Sequence, residues 1–158
     1  MSGIINSAGS KSGVIGNTEI DYETGTWDGQ IEGGGNNMTM SSKTGFYTKV
    51  GNIVHITGYF NVTSLGDPAA TGGINLRGLP FTVANDPGAY TCGGIRCSNL
   101  AITAGHSVTF YAAIDEELLG IGLWDSTVGV SNLQASEFTA AGTMIIGLSY
   151  RVKSDERM

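Results

Sequence analysis

The sequence carries little charge: Lys, Arg, Asp and Glu make up 14% of its 158 residues, against roughly 25% in an ordinary soluble domain. The basic residues Lys11, Lys43, Lys49, Arg77, Arg96, Arg151, Lys153 and Arg157 are scattered, and the net charge is −6. A nucleic-acid surface needs clustered Lys and Arg to release counterions, so no nucleic-acid partner is expected. Long apolar runs are missing too. None approaches the ~20 residues of a membrane span, and the N-terminus has no basic start followed by an apolar stretch. The expectation is a chain made in a cytosol, with no membrane insertion, in which Asn37-Met38-Thr39 and Asn61-Val62-Thr63 are chance matches to the glycosylation pattern.

Cysteine occurs only at Cys92 and Cys97. Two thiols lack the companion pair of a structural zinc site, and a cytosol keeps them reduced, so both are expected as strand or core residues. A disulfide across Gly93-Gly94 is the minor alternative. Catalytic signatures are equally scarce. There is no Gly-x-Ser-x-Gly elbow, and Gly33-Gly34-Gly35 is not followed by the lysine of a phosphate-cradling loop. His55 and His106 have no metal-ligand spacing, so neither metal nor cofactor is expected. Asp115-Glu116-Glu117 lies between two strand signals and reads as a solvated turn. A paired-carboxylate hydrolase would need the fold to gather Asp115, Glu116, Asp125 or Glu137. The chain is expected not to be an enzyme.

What the sequence does contain is 25 glycines, many Ser, Thr and Asn, and a recurring two-residue alternation. Residues 1–25 read as an N-terminal arm, in which the aliphatic pairs Ile4-Ile5 and Val14-Ile15 stand in a Gly- and Ser-rich background. These four residues are the candidates for docking the arm on a neighbour. Residues 26–152 read as one all-β domain, an antiparallel sandwich, and 153–158 as a polar tail. The clearest element is a hairpin: Phe46 to Val50, a Gly51-Asn52 turn, then Ile53 to Val62. On its second strand Val54, Ile56, Gly58, Phe60 and Val62 share one face, expected to be core, while His55, Thr57, Tyr59 and Asn61 share the other. Further strands are expected at Ala89 to Arg96, Ser107 to Ile114, Leu118 to Trp124 and Thr143 to Val152. Leu79 and Phe81, around Pro80, are expected to close the sandwich edge.

A low-charge surface leaves few mobile side chains to desolvate, which suits a chain that packs against its own copies. Trp27, His55, Thr57 and Tyr59 are the candidates for a subunit interface. Trp124 and Tyr90, aromatics among hydrogen-bonding side chains, are the candidates for contact with a glycan.

Three stretches carry a family resemblance. Ile4-Ile5-Asn6-Ser7-Ala8-Gly9-Ser10-Lys11-Ser12-Gly13-Val14-Ile15-Gly16, continued by Thr18 to Trp27, resembles structural proteins of tailed bacteriophages. Tyr47-Thr48-Lys49-Val50-Gly51-Asn52-Ile53-Val54 and Gly78-Leu79-Pro80-Phe81 are similar to repeated features of the same group. The resemblance implies a jelly-roll-like sandwich that assembles as a homotrimer in the virion, contacts other virion proteins of capsid or tail, and in some members binds a host surface glycan. Because Met1 stands only a few residues ahead of the motif, the expectation is a capsid decoration or short fibre gripped by its arm, with a receptor-binding tail-fibre module as the alternative.

Overall fold

The computed structural model describes residues 21–153, and its chain repeatedly crosses between two antiparallel sheets. In chain order, β1 (Tyr22–Asp28) lies in a front sheet, and β2 (Gln30–Gly33) and β3 (Asn36–Asn37) in a back sheet. β4 (Thr39–Ser42), β5 (Thr44–Val50) and β6 (Ile53–Ser64) return to the front, and β7 (Ile74–Arg77) and β8 (Thr91–Cys92) to the back. β9 (Gly94–Ser98) is again in front, β10 (Ser107–Ala112), β11 (Leu118–Asp125) and β12 (Gly129–Asn132) are at the back, and β13 (Thr143–Arg151) completes the front. The front order is β1-β5-β6-β13-β9, with β4 also on β6; the back order is β3-β2-β7-β11-β10-β8, with β12 also on β11. The fold is a β-sandwich, and its only helical pieces among the described residues are the short 3-10 turns Pro87–Ala89 and Ala135–Glu137.

Alternation builds the core. Val54, Ile56, Phe60 and Val62 of β6 are buried, as are Met144, Ile146, Leu148 and Tyr150 of β13. Across the sandwich they meet Ile31, Ile74, Leu76, Phe110, Leu119 and Ile121. Each such side chain contributes roughly 1.5–3 kcal/mol by leaving water. The hairpin forms as its pattern requires: Val50 pairs with Ile53, and the positive φ falls on Gly51 at +58°, as in a turn with glycine at its first central position. Leu79 is buried, and the Phe81 ring meets Tyr47 edge-on at 5.2 Å, closing one end.

Two details depart from the sequence reading. β1 starts at Tyr22, inside the stretch assigned to the arm, because Tyr22 pairs with Val50 and the Gly51 N–H donates to the Asp21 carbonyl. The run from Ala89 to Arg96 is not one strand. It is broken at Gly93, where the chain leaves the back sheet for the front so close to β13 that a Cβ would stand 2.3 Å from the Gly147 carbonyl oxygen. Asp28-Gly29 makes the passage from β1 to β2 between the sheets. Ile4, Ile5, Val14 and Ile15 lie outside the described residues.

Candidate functional site

With the core filled by one side of each strand, the other side forms two outward faces. The front face has four central cross-strand rows. Tyr22, Val50, Ile53 and Arg151 make the first, and Thr24, Thr48, His55 and Ser149 the second. Thr26, Phe46, Thr57 and Gly147 make the third, and Tyr59, Ile145 and Arg96 the fourth. Tyr22, Phe46, Val50, Ile53, Tyr59 and Ile145 all stand exposed, with Phe46 at 66%. Among the described residues, the charged side chains of this face stand at its margins: Asp28 with its ion-pair partner Lys43, Arg96 and Arg151. The exposed apolar area totals on the order of 500 Å² and falls into two clusters, Tyr22-Val50-Ile53 and Phe46-Tyr59-Ile145, separated by the polar second row. A shallow depression of about 310 Å³ lies between Phe46, Tyr59 and Ile145.

The structure gathers His55, Thr57 and Tyr59 on this face, and the His55 Nδ1 lies 3.0 Å from the Ser149 hydroxyl. Trp27 is not with them. It is 5% exposed, and its indole N–H donates to the Thr57 carbonyl at 3.1 Å. Its ring packs 5.6 Å from Phe60, in space left by the facing glycines Gly45 and Gly58. Trp27 therefore acts inside its own chain, and the interface role expected for it is withdrawn. Phe46, Ile145, Tyr22, Val50 and Ile53 stand exposed on the front face instead. For Ile53 and Ile145 the signal was present in the sequence, as positions opposite the core set of β6 and β13.

The back face is built differently. On β11 the outward positions are Leu118, Gly120, Gly122 and Trp124. The Tyr111 ring lies over Gly120, where a Cβ would meet it at 2.6 Å, and Val130 lies over Gly122. Tyr90 leans on Tyr111 with ring centres 6.2 Å apart. Trp124 and Tyr90, both half-exposed, thus share a face without touching: Trp124 stands about 13 Å along the strand from Gly120, and Tyr111 and Val130 lie between. Asn75 and Asn132, paired with Gly120 and Gly122, put amides at the rim. Tyr111 escaped notice in the sequence because nothing there shows that it faces a glycine on the next strand.

The acidic residues serve local structure. Asp115 pairs with Lys153 at 2.6 Å, and the Thr82 hydroxyl donates to Glu117. The Asp125 carboxylate accepts the N–H groups of Thr127 and Val128, which hold its pKa below the usual range. Glu137 accepts the Gln134 N–H at 2.8 Å. The 115–117 turn and Asp125 sit at opposite ends of β11, about 23 Å apart along the strand, well beyond the ~5–10 Å of a hydrolytic carboxylate pair. Among the described residues no group of three His, Cys, Asp or Glu side chains could hold a metal ion. Cys92 and Cys97 are free thiols, Cys92 exposed in the back sheet and Cys97 half-buried in the front. Burial pushes the Cys97 thiol up to about 11.

No protein-family model matches the chain, and no curated protein sequence matches it. Among solved structures, its fold is similar to that of the Dettilon tailspike protein (gp208), with a TM-score of 0.70 at 16% identity. The match covers 82% of this chain but only 24% of the tailspike chain, so this chain spans about a quarter of that protein's length.

Proposed function

We propose that this chain is a structural protein of a tailed-phage particle, of the spike or short-fibre kind, whose sandwich assembles as a homotrimer through its front face. The observation that carries the reading is that face: an exposed, almost charge-free set of Phe46, Tyr59, Ile145, Tyr22, Val50 and Ile53. Apolar area of this size on a single chain favours a partner surface. The resemblance of the arm to phage structural proteins supports the particle and the threefold state. The fold shared with a tailspike favours the tail over a capsid decoration. The arm ahead of Asp21 then holds the domain to the particle or to neighbouring subunits. The reading gives no carboxylate a catalytic role, since Asp115, Asp125 and Glu137 are each engaged in local contacts. Quantitative mass spectrometry of purified particles, split into head and tail fractions, tests it. The chain is expected in the tail fraction, and its absence from particles would remove the proposal.

A second reading is supported by the back face. Tyr111 held flat over Gly120, with Tyr90 beside it and the amides of Asn75 and Asn132 at the rim, suits the apolar side and hydroxyl edge of a neutral sugar. If this reading applies, the assembled protein binds a host glycan on an array and Tyr111→Ala weakens that binding. A blank array would dispose of it.

A further inference from the structure

Among the described residues, two strand edges lie open at one side of the sandwich. β9 ends the front sheet. In the back sheet, residues 107–110 of β10 have no partner away from β11 among the described residues, because β8 pairs only with Tyr111 and Ala112. Between these edges, beneath loop 99–106, is a slot of about 460 Å³ with an apolar part that includes Ile95, Cys97, Ile102 and Val108 and a polar part that includes Arg96 and His106. Ile95 and Cys97 are paired with the core residues Ile146 and Met144, so they face the interior of the sandwich. The His106 Nδ1 is buried there without a hydrogen-bond partner among the described residues. An open edge beside an apolar slot fits an added strand: the edge supplies main-chain hydrogen bonds and the slot takes alternate side chains.

We propose that the segment around Ile4 and Ile5 of another copy fills this slot as an extended strand alongside β9. The inference rests on the self-association proposed above. The first ten residues contain no charged side chain, so the segment fills the apolar part of the slot without burying a charged side chain of its own, and its backbone brings a partner within reach of His106. The arm is long enough to leave its own chain. The described chain begins at Asp21, tied to Lys49 at the corner of the front sheet diagonally opposite the slot. Four strand intervals and the length of β13 put that diagonal at roughly 33 Å, and the sixteen residues back to Ile5 span up to about 58 Å. A return across its own front face would also cover Phe46, Tyr59 and Ile145. Passing to a neighbour leaves them for the subunit contact.

The test uses the full chain in a Cys92→Ser background, with Ile4→Cys and Ile5→Cys introduced separately. Each variant is oxidised mildly, separated on a non-reducing denaturing gel, and sized beforehand by light scattering. The expected result is a disulfide between chains through Cys97, formed many-fold faster in one variant than in the other, because adjacent strand residues face opposite ways. In a protein that still sizes as a trimer, a link within one chain, equal rates in both variants, or no link would overturn the inference and leave the assembly standing. A monomer before oxidation would overturn both.

Discussion

Lys49 lies on the core side of β5 at 1% exposure, its ammonium 2.6 Å from Asp21 and 5.3 Å from the centre of the Phe81 ring. Its apolar stem packs in the interior while its charge is met by a carboxylate that still touches solvent. Removing only the acid strands a buried cation, whereas removing the cation leaves a carboxylate that water can reach. Asp21→Asn should therefore cost about 2–3 kcal/mol, somewhat less than breaking a fully buried pair, and Lys49→Met should be near neutral. Urea unfolding midpoints of the two variants decide this, and equal losses would show that the pair acts as a unit. Nearby, the Tyr47 hydroxyl donates to Glu23 at 2.5 Å. That hydrogen bond, followed by burial, raises the tyrosine pKa above its ordinary value. A raised folded pKa contributes stability that is present below the unfolded value near 10 and is lost as pH rises through the folded one. Stability should thus fall on the alkaline side of pH 10, and Tyr47→Phe should flatten that limb in denaturant melts at pH 9 and pH 11. Neither contact was legible in the sequence: Lys49 read as one more scattered base, because nothing local shows that Phe46 and Val50 face out while Tyr47 and Lys49 face in.

Strands were legible where period and turn chemistry agreed. On β6 and β13 each core position alternates with a polar or outward one, and Gly51-Asn52 supplies the turn, so facing and register follow from the residues alone. The stretch from Ala89 to Arg96 has similar strand propensity, yet its course depends on a carbonyl of β13 far away in sequence. That dependence can be measured. Gly93→Ala drives a Cβ against the Gly147 oxygen and should destabilise by about 2–3 kcal/mol, as overpacking against rigid backbone does. Gly51→Ala meets open space but must hold φ at +58°, which costs about 1 kcal/mol. Thermal melts in which Gly51→Ala is the worse of the two would contradict the crossover geometry. The likeness of residue types on β1 explains the misplaced Trp27: the strand's period separates the two faces, but only the glycines at 45 and 58 reveal which face has room for an indole.

For the whole molecule, the sandwich follows from its short alternating strands, whereas the two outer faces appear only once those strands are set side by side. Scattered in the sequence, Phe46, Tyr59 and Ile145 become neighbours through the pairing of β5, β6 and β13. Their exposure in an otherwise low-charge surface is what supports the proposed contact of the front face with other copies of the chain. Truncating Tyr59 to alanine should weaken assembly while leaving the melting temperature of the separated chain largely unchanged, since that side chain already faces water. The most direct test of the account is sedimentation equilibrium of the full chain at micromolar concentration, beside a Phe46→Asp, Tyr59→Asp variant. The account predicts three times the chain mass for the former and a folded single chain for the latter. A single-chain mass for the unaltered protein, or an intact trimer in the variant, would contradict it.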